Sequence, residues 1–482
     1  MKRLLLAGLI FHSLSTLFVR AQSVQPFQVQ WYTTFGGTNA DFADRIAVAP
    51  DGGYLVAAFS YSAISGSKQT TNYGGRDCWL VRLDRRGSKL WERNLGGPLG
   101  DRFRDLRLTR NGEWILVGES GSSPSSGNKN SPLYGESDYW VMRLDDQSNT
   151  LWEKSYGGTG YDEAVAVTET EDGALIVAGY SYSPTNEIKT IPSIGMSDTW
   201  ILRLSAQGDI LWQTNYGAAS QNWPFAIDRY GTNGFVIAAA SSEPNDVWGS
   251  ADFWIFAIDQ DGKKLWEGFY GGDGTDEPLD IQQTSDGGFI TCGWMSDDFG
   301  IVRLNSAGEK VWERTLGQEG VDIAYGLLQT LDGGFVLTGT SFWTNAWTVR
   351  LDTNGNLVWQ HSFNVGLQTS IMDIQNTADG GLIAVGTVAS NGPHDVFVMK
   401  LAPDSLTAPL LEIMRHAQES GTLPTRILLR GIAGRTYVAE RTEDFLNWLP
   451  FATNTLSSDS VELLDQPPTS ASRFYRATIV PP

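Results

Sequence analysis

From about residue 29 to residue 403 the chain alternates short apolar runs with turns rich in Gly and Asp. Runs such as ALIVAGY (Ala174–Tyr180) and WILRL (Trp200–Leu204) are apolar at successive positions, so each predicts a short strand covered on both faces. The punctuation between them is regular. Asp-Gly-Gly, as in DIQQTSDGGFITCGW (Asp280–Trp294) and GLLQTLDGGFVLTGT (Gly326–Thr340), supplies the positive φ that a tight hairpin needs. A strand beginning Asp-x-aromatic follows, as in DTWILRL (Asp198–Leu204), and an Asp-x-x-Gly turn then leads to a Trp.

That tryptophan sets the period. Trp31, Trp91, Trp152, Trp212, Trp266, Trp312 and Trp359 are separated by 60, 61, 60, 54, 46 and 47 residues. Each interval holds four strands, and four-stranded sheets that bury both faces against like neighbours predict a β-propeller. The first Trp unit, WYTTFGG at 31–37, precedes any hairpin, and the last hairpin and strand, 371–401, have no Trp unit after them. The expected fold is therefore all-β: a seven-bladed propeller in which the N-terminal strand completes the C-terminal blade and removes two exposed edges.

The stretch RLDTNGNLVW (Arg350–Trp359) admits a catalytic reading, because quinone-dependent dehydrogenases and sialidases carry short Asp/Gly/Trp motifs. Neither spacing fits Asp352, Gly355 and Trp359, and neither the arginine trio nor the metal ligands of those sites can be placed. Sevenfold repetition of the Trp points to blade packing. The Asp before the third strand (Asp77, Asp138, Asp198, Asp252, Asp298 and Asp395, with Asn345 in the remaining place) reads as a backbone cap. The basic residue later in that strand (Arg82, Arg143, Arg203, Arg303, Arg350, Lys400) is expected beside the Trp or Glu of the following strand. A third set stands at the entry to each innermost strand: Asp41, Asp101, Asp162, Asp276 and Asp322, with Asn222 and Thr369. Those side chains are read as turn caps or, alternatively, as a carboxylate ring around one mouth of the central channel.

Residues 1–21 change the picture of location. Lys2 and Arg3 precede an apolar core ending at Val19, and a cut before Gln22 is plausible, so a secretory leader is expected. The rest, without a C-terminal apolar anchor, should be exported to the medium or the cell surface as a soluble monomer. Losing Lys2, Arg3 and Arg20 takes the net charge from −20 to −23, which argues against nucleic acid and anionic membranes as partners. Cys78 and Cys292 fall in different repeats, so no disulfide framework is expected. Only His361, His394 and His416 lie outside the leader, which leaves little for His-dependent catalysis or a multi-His metal centre.

Where the repeats differ, binding is expected. The loops on one propeller face are long in the first four blades (Ser60–Arg76, Ser120–Ser137, Tyr180–Ser197, Ser241–Ala251) and short in the others. Tyr73, Tyr134, Trp223 and Trp248 near these loops are candidate ligand contacts of the kind that suits glycan or peptide surfaces. Asp273, Asp276 and Glu277, in DGTDE, form the densest acidic cluster and a candidate calcium site, although the spacing is not that of an EF-hand; no other cofactor is indicated.

The unit WxxxxGGxxxDxAxxIxxTxDGGxIVxGxS…GxxDxWxxRLDxxGxxxW resembles bacterial secreted seven-bladed β-propeller repeat proteins over residues 29–403, a likeness that implies no particular catalysis. The expected domains are a leader (1–21), the propeller (22–403), a linker (404–409) and a small β-sandwich (410–482). Gly431, Gly434, Tyr437, Glu440, Leu446, Asn447, Trp448 and Arg473–Arg476 make that last part similar to a C-terminal module of large secreted Verrucomicrobia-type proteins. The leading expectation is a non-catalytic binding or scaffold protein that recognises a glycan, a peptide or an envelope protein through the loop-rich face. The alternative is a polysaccharide-active glycosidase or lyase using carboxylates such as Asp276 and Glu277; two unrepeated carboxylates about 5–10 Å apart in a cleft would favour it.

Overall fold

A computed structural model describes residues 27–403 except 220, 233, 242–250, 273, 319, 343, 390 and 391, and beyond them 410–414, 425–431, 436–442, 449–457, 460–465 and 474–479. The expected leader and linker lie outside the described residues.

Seven four-stranded antiparallel sheets form the blades. Blade 1 is Asp41–Val48, Tyr54–Ser60, Asp77–Leu83 and Lys89–Leu95, and blades 2 to 6 begin at Asp101, Asp162, Asn222, Glu277 and Asp322. Blade 7 is closed as expected: Val29–Phe35 pairs with His394–Leu401, with Tyr32 opposite Met399 and Phe35 opposite Val396. The second and third strands are almost wholly buried, as their two-sided apolar runs require, while the outermost strands are half-exposed. The first glycine of the Asp-Gly-Gly turns has positive φ, for instance 80° at Gly52 and 83° at Gly287.

The repeated tryptophan is an inter-blade wedge. Five of the seven, Trp31, Trp152, Trp212, Trp266 and Trp312, lie against the glycine of the next blade's turn between strands three and four: Trp152 Nε1 donates to Ala206 O at 3.0 Å and Trp212 Nε1 to Gln260 O at 3.0 Å. The turn glycine lets the indole in, since a Cβ on Gly308 would stand 2.5 Å from Trp266 and one on Gly87 2.6 Å from Trp31. At the seam of the ring that turn is missing, and Phe27 takes its place edge-on to Trp359 at 5.6 Å. Blade 2 departs from the rule by placing Ser148 in the left-handed conformation, φ 69°. Ser148→Gly is expected to stabilise the protein by about 1 kcal/mol in chemical denaturation, because a left-handed L-residue costs roughly that much.

The basic residue of the third strand does sit opposite the Trp, Arg82 against Trp91 and Arg350 against Trp359. Its charged head, however, turns away from the Glu of the following strand to the acid of the tight turn between strands one and two. The pairs are Arg82–Asp51 (2.7 Å), Arg143–Glu113 (2.5 Å), Arg203–Asp172 (2.8 Å), Arg303–Asp286 (2.6 Å), Arg350–Asp332 (2.5 Å) and Lys400–Asp379 (3.0 Å). The guanidinium lies at the end of the blade, where in blades 1, 5 and 6 its Nη2 donates to both oxygens of the turn carboxylate.

The long loops of blades 1 to 3 are organised around buried lysines. Lys68, Lys129 and Lys189 are 1%, 0% and 0% exposed. Lys68 Nζ donates to Thr70 O (2.8 Å), Lys129 to the carbonyls of Ser131 (2.6 Å) and Pro132 (3.0 Å), and Lys189 to Ser181 Oγ (2.9 Å) and Ser183 O (2.8 Å). Burial presses all three ammonium groups below their ordinary value, opposed by nearby acids.

Beyond the propeller, two three-stranded sheets, Leu410–Met414/Thr425–Arg430/Ser460–Asp465 and Leu449–Thr455/Thr436–Thr442/Phe474–Ile479, share a core of Ile427, Leu429, Tyr437, Ala439, Leu456 and Leu463. Leu331, in a tight turn of blade 6, packs against that core. Cys78 and Cys292 are both buried free thiols.

Candidate binding site at the channel mouth

Each innermost strand carries a register shift near its third residue, for example between Ala43 and Arg45 and between Pro224 and Ala226. A bulge adds a residue and re-aims the side chains around it. Asp44, Arg104, Val165, Phe225 and Met372 are among the residues at the bulged positions, and all five line hollows or join ion pairs at the loop-rich end of the channel.

The capping aspartates are elsewhere. Asp41, Asp101, Asp162, Asp276 and Asp322 are all 0% exposed. Each accepts the amide four residues back: Gly37 (2.7 Å), Gly97 (2.8 Å), Gly158 (2.8 Å), Gly272 (2.9 Å) and Gln318 (2.6 Å). They hold the loops between blades and do not ring the channel, because the amides of the entering turn draw them inward. The third-strand set does the same work, with Tyr73 N and Tyr134 N donating to Asp77 and Asp138 at 2.6 Å. Burial pushes Asp77 and Asp138 up to about 7.

Two hollows open at the mouth. One, of about 440 Å³, lies across blades 2 to 5 and is lined by Tyr161, Tyr180, Tyr182, Trp223, Phe225, Arg104 and Glu277, among others. Its Tyr161 and Tyr180 rings lie within 16° of parallel at 6.1 Å, and Tyr182 stands edge-on to Tyr180. The other, of about 340 Å³, joins blades 7, 1 and 2 and contains Phe42, Phe59, Met372, Arg102 and His394. There Phe42 stacks on both Phe59 and His394 at 5.0 Å, and the Arg102 guanidinium lies 4.5 Å from the Phe59 ring centre.

Near these hollows runs a charged network. Arg76 pairs with Glu119, Arg102 with Asp44, and Arg104 with Glu163 at 3.3 Å. Tyr161 Oη donates to Glu119 and reaches Glu163 at 3.2 Å, and Tyr180 Oη also donates to Glu163. Burial raises Glu119, and the Glu163 charge adds to the rise. Glu119 and Glu163 are two unrepeated carboxylates bridged by the Tyr161 hydroxyl, and neither lines a hollow. They are only 3% and 5% exposed, and arginine and tyrosine partners engage both.

The candidates named from sequence separate clearly. Trp223 and Glu277, singled out for different reasons, meet in the larger hollow. Tyr73 and Tyr134 occupy equivalent positions in successive long loops, 38% and 39% exposed, and line neither hollow. Aligning TNYGGRD with PLYGESD shows that both belong to the repeat. Trp248 and Asp273 lie outside the described residues. Asp276 and Glu277 are consecutive, so their side chains part to opposite sides, the first between blades and the second into the mouth. They therefore do not converge as a calcium pair, and among the described residues no group of three or more His, Cys, Asp or Glu is placed to hold a metal ion. Sequence reading missed Tyr161, Tyr180, Tyr182 and Phe225; their signal was aromatics at innermost-strand entries and second-strand ends, a pattern that blade 1 shares in Phe42, Phe59 and Tyr61.

No known protein family matches the chain as a whole. Its sequence is 23% identical over 189 residues to regulatory protein FlaEY of Caulobacter vibrioides, covering 36% of this chain and 20% of that protein, so the match spans about a fifth of the relative's length. Among solved structures, the Pan2 WD40 domain of Neurospora crassa aligns with a TM-score of 0.44 at 11% identity (76% of this chain, 95% of that one). The polysaccharide lyase Uly1 gives 0.47 at 9% (78% and 99%), and Drosophila Plexin A in complex with Semaphorin 1b 0.43 at 11% (78% and 88%).

Proposed function

We propose that this is an exported, non-catalytic recognition protein that binds a glycan at the loop-rich mouth of the propeller channel. The observation that carries the reading is the larger hollow: Tyr182 and Trp223 present aromatic surface beside polar groups, in a space within the usual range for ligand sites. Sugars pair an apolar ring face with a polar rim, and aromatic side chains over a hydrogen-bonding floor match both. The contact of Leu331 with the C-terminal core is on the tight-turn face, which leaves the loop-rich face for the ligand. What weighs against the catalytic alternative is the engagement of Glu119 and Glu163, since a general acid must reach the bond it protonates.

Screening the protein on a saccharide panel, followed by titration calorimetry on the best binder, tests this. Trp223→Ala and Tyr182→Ala are each expected to weaken binding about tenfold or more with little change in melting temperature, in line with aromatic anchors at other interfaces. A panel with no binder, or variants that bind as well as the parent, would defeat the proposal.

A further inference from the structure

The acids around the channel mouth are not alike. Asp44, Glu119 and Glu163 each have an arginine partner. Glu277 has neither a hydrogen-bond donor to its carboxylate nor an ion pair among the described residues, yet it lies half-buried in the wall of the larger hollow. Arg104, the cation nearest in that wall, is held by Glu163. The hollow thus combines one uncompensated carboxylate with the faces of Tyr182, Trp223 and Phe225. Burial raises Glu277 above its ordinary value with nothing to offset it, the state of a carboxylate whose counterion is to come from outside.

Resting on the glycan reading above, we infer that the hollow takes an amino sugar, with Glu277 meeting its ammonium group and Trp223 and Tyr182 stacking on its ring. An ammonium group is drawn both to a carboxylate and to the negative faces of aromatic rings. The chain's net charge of −20 favours the approach of a cationic ligand and disfavours an acidic one. The breadth of the hollow, about 440 Å³ with aromatic walls at differing angles, suits a saccharide ring better than a lysine side chain, which would fill only a narrow slot.

Titration calorimetry in mildly acidic buffer decides it, with the full chain and three probes: a glucosamine oligomer, its N-acetylated counterpart of equal length, and oligolysine. The expected result is binding of the glucosamine oligomer about tenfold or more tighter than either other probe. Glu277→Gln, which keeps shape and removes charge, should abolish that preference while the acetylated oligomer binds as before. Thermal denaturation of Glu277→Gln at the parental temperature confirms that the fold is kept. Equal affinity for the two oligomers, or an unchanged preference in Glu277→Gln, overturns the inference and leaves glycan recognition standing. Binding of oligolysine alone overturns the saccharide assignment, and no binding by any saccharide on the wider panel overturns both readings.

Discussion

Lys189→Ala is expected to cost about 3 kcal/mol of folding stability and to open the loop of blade 3 to protease while the ring itself survives. The ammonium is fully buried, donates to Ser181 Oγ, Ser183 O and, at 3.4 Å, Ser193 Oγ, and lies 5.8 Å from the Trp200 ring centre. Its removal takes one of two donors from the Ser183 carbonyl, which keeps Ser193 Oγ at 3.0 Å, and takes a cation from beside Asp162 and Asp198, both buried. Methionine restores volume but no donors, so Lys189→Met should recover only the packing part of the loss. Urea denaturation with limited proteolysis checks this; a loss under 1 kcal/mol together with uncut loops would show that the lysine is not the organiser. The rigidity matters for function because Tyr182 stands at the start of this loop and Tyr180 just before it.

The thermal midpoint is expected to rise by several degrees between pH 8 and about pH 5, in the same direction as the relief of repulsion among the surface acids of a chain with net charge −20 but with a steeper rise between pH 7 and 6. Burial lifts Asp77 and Asp138 to about 7, and Asp280 and Asp395 to about 6. A carboxylate whose folded value exceeds its unfolded one binds its proton more readily in the native state. The native protein therefore gains as pH falls through 7 to 6, and the gain is complete below the ordinary carboxylate range. The turn aspartates Asp145, Asp172 and Asp352 act in the other direction. Hydrogen bonds from Asn149, Thr170 and Asn356 hold them low, so their contribution is lost as pH falls below about 4. Calorimetric scans across this range should place the optimum near pH 5; a midpoint that falls steadily from pH 8 to pH 5 would contradict the argument.

The ring was legible in the sequence because its unit repeats and its strands are apolar on both faces; the Trp spacing alone located the blades and the shared closing sheet. Less visible were devices that repeat only in part. Lys68, Lys129 and Lys189 each stand nine residues before Asp77, Asp138 and Asp198, a spacing confined to three blades and hidden in loops of varied sequence. The bulges were invisible because an inserted residue leaves the run of apolar positions looking continuous. They decided the site, since bulged positions supply Phe225 and Arg104 to the hollow that holds Trp223 and Glu277. Neighbouring residues in sequence misled for a related reason: the acidic run around Glu277 reads as one cluster, whereas strand geometry sends its members to different surroundings.

The pairing of Val29–Phe35 with His394–Leu401 also bears on how the protein matures. The propeller's first strand must wait for one made more than 350 residues later, so the closing blade cannot form until the sequence of the whole ring has been made. Until then two open flanks remain, each a template for wrong partners.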